Sequence, residues 1–220
     1  MDTICKKMVL GPVQTNCFIF IDPDLKEAVV FDPGDRGDRI FDYIKEEGAV
    51  LKAVILTHGH FDHITGVPEL MRLSKDEGWD TEILASEDER ELLSDPILNC
   101  SGSGMGYGED GVSIKAFKEL KDREVIEYAG LKIECIKTPG HTEGSMSFYI
   151  PDKRILVSGD TVFAGSVGRT DLPTGSMGEL MRSIKERIIV LPEFTYILPG
   201  HGDETTVRDE KMYNPWFGDM

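Results

Sequence analysis

Three histidines and an aspartate lie within six positions of one another in the segment HGHFDH (58–63). In an extended stretch, side chains at positions i and i+2 point in the same direction, so His58 and His60 can bind one ion together. Asp62 and His63 lie past the bend into the next segment, where they can face a neighbouring point. Imidazole and carboxylate groups at this spacing indicate a metal site.

The other two histidines of the chain and a further aspartate each follow a predicted strand. His141 ends KTPGH and His201 ends ILPGH, so each comes after a Pro-Gly turn, and Asp160 closes the segment ILVSGD. A side chain in such a place can project from the rigid edge of a sheet. These three residues can therefore complete the site that the first cluster begins.

We predict that these side chains hold two divalent metal ions. The first set is His58, His60 and His141, the second is Asp62, His63 and His201, and Asp160 bridges the two ions with its carboxylate. This count leaves a coordination position on each ion for water or substrate, which is typical of a catalytic rather than a structural site.

Charge and composition restrict the class of partner. The 220 residues are enough for one substantial core, and the formal net charge of -16 repels a phosphate backbone. No apolar run approaches the roughly 18 residues of a membrane span, and the first residues lack the apolar stretch of a secretory signal. The four cysteines form no CxxC pair, as in reduced cytosolic proteins. We predict a single cytoplasmic domain over residues 1–220, without a nucleic-acid or membrane partner; the oligomeric state is not indicated.

Strands and helices alternate in a way that can position these residues. Apolar runs predict a strand before each part of the site, at 51–57, 131–138, 154–160 and 195–200. Amphipathic patterns predict helices at 38–48, 67–78 and 177–190. The order suggests two β-rich halves with helices on their outer faces, so that sheet packs against sheet.

Two serine-glutamate pairs have the spacing of a helix capping box, in which the glutamate side chain turns back to the start of its own helix. Ser86 and Glu89 open a short acidic helix, and Ser176 and Glu179 open the helix that begins at Met177.

The glycine-rich stretch 94–111 is the one long segment without a predicted element. It is either a loop that covers the substrate or a plain insertion. Asn99, Cys100 and Tyr107 within it either reach the site or serve as loop scaffolding.

The residues of the site resemble those of the metallo-β-lactamase fold hydrolases. THGHFDH is similar to their HxHxDH signature, and His141, Asp160 and His201 fall in the order and context of that family. The resemblance runs from about residue 10 to the end of the chain. It implies an α/β fold, a four-layer αββα sandwich, with a two-metal site between the sheets.

Within the family, the segments GPVQTNCFIF (11–20) and GDTVFAGSVGRTDLPTGS (159–176) most resemble the glyoxalase II-like hydrolases. Those enzymes cleave thioesters such as hydroxyacylglutathione. The resemblance implies that a hydroxide held between the two metals attacks the acyl carbonyl, with Asp62 and Asp160 as the catalytic carboxylates. Glyoxalase II also has a C-terminal helical region that helps to hold glutathione, whereas this chain ends about twenty residues after His201.

Arg169 is the predicted substrate-binding residue. It keeps the basic residue that contacts glutathione in glyoxalase II, whereas Asp171 stands where a tyrosine makes such a contact. Arg169 either clamps a substrate carboxylate through two N–H groups or pairs with Asp171 and braces the loop.

Several alternatives stay open. The persulfide dioxygenases share HITG after the first motif and GRTD in the later loop, and resemblance to them implies one iron and oxygen chemistry. An esterase or lactonase that acts on small non-thioester substrates is another alternative, and a non-catalytic metal-binding scaffold is a third. Zinc is the favoured metal, although iron and manganese suit the same ligands. Exported β-lactamases, which commonly have a cysteine at the position of Asp160, and RNA-processing members with additional domains fit the chain less well.

Overall fold

The computed structural model describes residues 3–102 and 111–217, and it contains two six-stranded sheets. The first sheet has its strands in chain order, with the first three antiparallel and the last three added in parallel. Its strands are β1 (Ile4–Leu10), β2 (Thr15–Asp22), β3 (Glu27–Phe31), β4 (Val50–Ile55), β5 (Glu82–Ser86) and β6 (Lys118–Leu120).

The second sheet is antiparallel except for one parallel pair. Its strands are β7 (Val125–Tyr128), β8 (Leu131–Lys137), β9 (Met146–Ile150), β10 (Ile155–Gly159), β13 (Tyr196–Pro199) and β14 (Thr205–Thr206). They lie in the order β14-β13-β10-β9-β8-β7, and a small hairpin of β11 (Val162–Phe163) and β12 (Ser166–Val167) follows β10.

Six α-helices lie among the described residues. They are α1 (Gly37–Glu46), α2 (Phe61–Ile64), α3 (Val67–Asp76), α4 (Arg90–Ser94), α5 (Met177–Ser183) and α6 (Val207–Tyr213). The predicted helix 177–190 is shorter than expected, because the α-helix gives way to a π-helical turn at Ile184–Ile188. Within the described residues, no helix has the length and apolar character that a membrane crossing requires.

Side chains on the two faces of β2 show how the layers form. Phe18 and Phe20 point into a core shared with Phe148 and Val157 of the second sheet. Ile19, between them, points to the opposite face, towards helices α1 and α3. This alternation follows from the two-residue period of a strand.

Helices cover the outer face of each sheet. Ile40 of α1 and Leu70 of α3 pack on the first sheet, and Leu180 of α5 packs on the second with Tyr149 and Leu156. The molecule is therefore a four-layer αββα sandwich, which confirms the predicted fold class.

Candidate metal centre

The site lies where strand ends of both sheets meet. β4 ends at Ile55 and leads to the HGHFDH segment of the first sheet. In the second sheet, β10 and β13 are parallel neighbours, so the residues that follow the two strands lie side by side at the same edge of the sheet. Here Gly200 N–H donates to the carbonyl of Gly159 at 2.8 Å. This pairing places Asp160 next to His201.

Three imidazoles form the first group, and their nitrogens converge. His60 Nδ1 lies 2.8 Å from His141 Nε2, which lies 3.1 Å from His58 Nε2. All three side chains are buried. Burial, and then the neighbouring imidazoles, hold the pKa of His58 well below its usual value. Burial and His141 lower the pKa of His60 to about 3. The imidazoles of His58 and His60 are therefore neutral and have lone pairs to offer.

The second group combines an aspartate with two imidazoles. Asp62 Oδ2 lies 3.1 Å from His201 Nε2 and 3.6 Å from His63 Nε2. His63 is fully buried, and burial alone would lower its pKa, but Asp32, Asp62 and Asp160 around it raise the pKa well above the usual value. Positive charge is thus strongly favoured at this point.

Asp160 lies between the two groups. Its Oδ1 is 3.3 Å from His63 Nε2, and its Oδ2 is 3.6 Å from His141 Nε2 and 3.5 Å from His201 Nε2. Burial by itself would raise the pKa of Asp160, but the surrounding imidazoles, His63 first, hold it below the usual value. The carboxylate therefore faces both groups in its ionised form.

Three of the five imidazoles have a partner at the ring nitrogen that faces away from the centre. His63 Nδ1 lies 2.9 Å from Asp32 Oδ2, His58 Nδ1 lies 3.1 Å from Thr57 Oγ1, and His141 Nδ1 lies 2.7 Å from the carbonyl oxygen of Arg169. These contacts fix the three rings and turn their other nitrogens inward, as is usual for metal ligands. His60 Nε2, by contrast, is buried without a hydrogen-bond partner among the described residues.

The residues present fit divalent metal ions. His63 Nε2 and Asp160 Oδ1 are buried, and neither has a hydrogen-bond partner among the described residues. Buried polar atoms are rarely left in this way, and here they point at each other across 3.3 Å with further carboxylate oxygens beside them. Inward-facing imidazole nitrogens and carboxylate oxygens are the donors that zinc, iron and manganese accept.

The structure thus brings together all seven residues that the sequence predicted. In each of three groups, one ligand atom from every member lies within 4.8 Å of the ligand atoms of the other two. The groups are His58/His60/His141, His58/His63/Asp160 and Asp62/His63/His201. Their assignment as metal ligands, and the catalytic roles of Asp62 and Asp160, stay predictions.

A cavity of about 400 Å³ opens over the two groups. Five of the seven predicted ligand residues line it: His60, Asp62, His141, Asp160 and His201. Its walls are largely apolar and are formed by Val13, Phe61, Phe163, Val167 and Leu172. A substrate carbonyl in this cavity would lie against the ligand groups, with apolar side chains beside it.

Arg169 lies on the wall of the cavity, and its side chain pairs with Asp171. Arg169 Nε donates to Asp171 Oδ1 at 2.7 Å, and Arg169 Nη2 donates to Asp171 Oδ2 at 2.8 Å. The bracing pair that the sequence allowed is therefore formed. Because it uses only two of the five N–H bonds of the guanidinium, others are left for a further acceptor.

Residues 94–102 and 111 of the long glycine-rich loop are described, and Asn99 connects this part to the site. Asn99 is buried, and its side-chain Nδ2 donates to the backbone carbonyl of Val112 at 2.9 Å. The backbone carbonyl of Asn99 accepts from Phe61 N–H at 2.8 Å. Asn99 is thus scaffolding. Cys100 lies on the cavity wall, and Tyr107 lies outside the described residues.

Two buried acids near the site were not predicted to take part in it. Asp32 directly follows β3, and its carboxylate accepts from Thr57 N–H at 2.8 Å and from the Thr57 hydroxyl at 2.7 Å. The strand-end criterion that found Asp160 could also have found Asp32.

The predicted capping-box role of Glu89 is wrong. Ser86 Oγ accepts from Asp88 N–H, but the Glu89 side chain reaches the loops of the site instead.

Comparisons with known proteins agree with this geometry. The sequence profile of the metallo-beta-lactamase superfamily matches residues 10–201. "Probable metallo-hydrolase YqgX" of Bacillus subtilis is 38% identical over 211 residues, which are 96% of each chain. Hydroxyacylglutathione hydrolase GloC of Haemophilus influenzae is 32% identical over 209 residues, which are 92% of each chain.

Solved structures show the same fold. The crystal structure of BLEG-1 B3 metallo-beta-lactamase superimposes with a TM-score of 0.88 at 35% identity, covering 98% of this chain and all of the other. TTHA1623 in a di-iron-bound form gives a TM-score of 0.80 at 29% identity, covering 96% of this chain and 99% of the other.

Proposed function

The chain belongs to the metallo-beta-lactamase superfamily, with the His/Asp metal site of a metallo-hydrolase, and from this premise we propose that it hydrolyses thioesters with two divalent ions bound. The observation that carries the proposal is the placement of Asp160. Its two oxygens lie 3.3 to 3.6 Å from ligand nitrogens of both groups, and it lines a cavity whose surface is largely apolar.

Two comparisons support the details of this proposal. A relative at 32% identity is named as a hydroxyacylglutathione hydrolase, which is a thioester-cleaving activity. A structural neighbour at 29% identity was crystallised with two irons. We propose two ions for this chain as well, with zinc favoured and iron or manganese as alternatives, because the mixed imidazole and carboxylate donors suit all three.

Bound divalent ions would lower the pKa of water towards neutrality and polarise the substrate carbonyl. The residues of the chain supply the geometry for this chemistry. Asp62 and Asp160 place negative charge between the imidazole groups, and Asp32 fixes the tautomer of His63. A thiolate is a good leaving group, so the site does not need a strong general acid.

The apolar walls and Arg169 would position the substrate. Phe61, Phe163 and Leu172 can hold the acyl chain or the thiol moiety in a space of about 400 Å³. Arg169 keeps N–H groups for a polar atom of the substrate in addition to its pair with Asp171. We therefore propose a small thioester or ester as the substrate and assign Arg169 as its binding residue. All four cysteines are free, which suits the proposed cytoplasmic location.

The test uses the zinc-loaded full chain with S-lactoylglutathione as substrate and release of free thiol as readout. We expect turnover that a chelator abolishes and that added zinc restores. His141→Ala should lower kcat/KM about a hundred-fold or more, since loss of a ligand exceeds the 10- to 100-fold effect of outer residues. Glu91→Gln, on the exposed face of α4, is the matched control and should retain activity.

Two parallel assays can contradict the proposal. Oxygen consumption with glutathione persulfide, without thioester cleavage, would identify a persulfide dioxygenase. Cleavage confined to oxygen esters, lactones or β-lactams would retain a metallo-hydrolase but overturn the thioester assignment.

A further inference from the structure

Glu89 is a buried carboxylate that the proposed reaction does not use. It ends the 3₁₀ turn Glu87–Glu89 between β5 and α4, and it is 1% exposed. A buried carboxylate is costly unless it is well hydrogen-bonded. Its partners therefore show what the residue does.

Three donors from two different loops meet this carboxylate. Gly59 N–H donates to Oε2 at 2.9 Å, Gly144 N–H donates to Oε1 at 3.0 Å, and the Thr142 hydroxyl also donates to Oε1. Gly59 separates His58 from His60, and Thr142 directly follows His141. The carboxylate thus joins the two loops that carry all three imidazoles of the first group.

The packing around Glu89 leaves little room for either loop to shift towards it. A Cβ added to Gly59 would lie 2.9 Å from Leu92 Cδ2 and 3.1 Å from Glu89 Oε2, and one added to Gly144 would lie 2.6 Å from Glu89 N. Real Cβ atoms essentially never show a contact below 3.0 Å. Both loops therefore lie directly against the segment that carries Glu89.

We propose that Glu89 is a positioning residue that holds the His58–His60 loop and the His141 loop at the separation required to bind the first metal ion. The proposal rests on the metal site of the proposed function. It assigns to Glu89 an effect on the first site and none of comparable size on the second. The second group, by contrast, is held by Asp32 and by the β10–β13 pairing.

The experiment measures zinc affinity directly, by competition with a chromophoric chelator on the metal-stripped full chain. Glu89→Gln keeps the size of the side chain but replaces one acceptor oxygen with a donor that faces a backbone N–H. It is introduced into His201→Ala, which weakens the second site, and into His141→Ala, which weakens the first. We expect first-site affinity to fall about ten-fold or more and second-site affinity to stay unchanged. Glu91→Gln in the same backgrounds is the matched control.

A second variant protects the test against misfolding. Thr142→Val removes the hydroxyl that donates to Glu89 and that also contacts Ser145 Oγ of the same loop at 2.6 Å. We expect it to weaken the first site in the same direction by a smaller factor. Near-ultraviolet circular dichroism of each variant reports whether the fold is kept. If Glu89→Gln does not fold, Thr142→Val takes its place: weaker zinc binding at the first site supports the positioning role, and unchanged binding overturns it.

The outcomes separate this inference from the proposed function. Equal zinc affinity of the Glu89→Gln and Glu91→Gln proteins, or equal losses at both sites, would overturn the positioning role and leave the metallo-hydrolase proposal intact. A wild-type chain that binds no divalent ion would overturn the proposed function itself.

Discussion

The orientation of single side chains determines what the site can bind. His58, His63 and His141 each contact an oxygen atom with the ring nitrogen that faces away from the centre. Their inward nitrogens are thereby fixed in place before an ion arrives, which reduces the ordering that binding requires. Asp32 contributes most to this arrangement, because it contacts both His63 and Thr57.

Arg169 gives a prediction about the charge of the substrate. Because a hydrogen bond to a charged group contributes about 1.5 to 3 kcal/mol, Arg169→Ala should raise KM about ten-fold or more for thioesters that carry a carboxylate. Neutral thioesters of similar size should be nearly unaffected, and steady-state kinetics on both classes measures the difference.

Asp171→Asn is the matched variant for this prediction. It releases the guanidinium from its present partner, so KM for the carboxylate-bearing substrates should fall rather than rise. An equal effect of Arg169→Ala on charged and neutral substrates would show that the residue only braces the loop.

At the scale of elements, the strands before the site were predictable and the contact between loops was not. β4, β8, β10 and β13 are largely apolar runs, and both the elements and their order are readable from period and composition. Glu89 shows the limit of such reasoning. The capping-box spacing describes only neighbours along the chain, whereas its carboxylate binds residues 30 and 55 positions away.

Asp122, in the turn between β6 and β7, connects β8 to the π-helical turn Ile184–Ile188 that follows α5. Its Oδ1 accepts from Lys137 N–H at 2.9 Å, and Arg187 donates to both of its oxygens at 2.6 and 3.2 Å. Burial alone would raise the pKa of Asp122, but these hydrogen bonds, that of Arg187 first, hold it below its usual value.

This shift predicts an acid-dependent part of the stability. A folded-state pKa below the unfolded value stabilises the protein above pH 4, and the effect is lost as the pH falls through the lowered pKa. Between pH 5 and pH 3, the free energy of unfolding should therefore fall more in the wild type than in Asp122→Asn. The fall in the wild type should exceed the fall in Asp122→Asn by less than about 1 kcal/mol, because solvent screens the partly exposed pair of Asp122 and Arg187.

Urea unfolding of metal-stripped protein at the two pH values measures the difference. Asp42→Asn, on the exposed face of α1, is the control and should follow the wild type. The account of Asp122 would be wrong if its asparagine variant showed the same acid dependence as the wild type.

At the scale of the whole molecule, the site exists only where the two sheets meet. The first sheet delivers His58, His60, Asp62 and His63, and the second delivers the remaining three residues. The core between the sheets, with Phe18 and Phe20 against Phe148, holds these edges together. Alternating patterns predicted two sheets with helices outside, but their relative placement came from the family resemblance, because periodicity carries no information about which edges meet.

The count of bound metal ions tests the central claim most directly. Full-length protein is loaded with zinc, dialysed, and analysed for zinc per chain, together with Asp160→Ala. We predict close to two ions per chain for the wild type and clearly fewer for Asp160→Ala, because the carboxylate that faces both groups is lost. One ion per wild-type chain, or two retained by Asp160→Ala, would contradict the two-metal site.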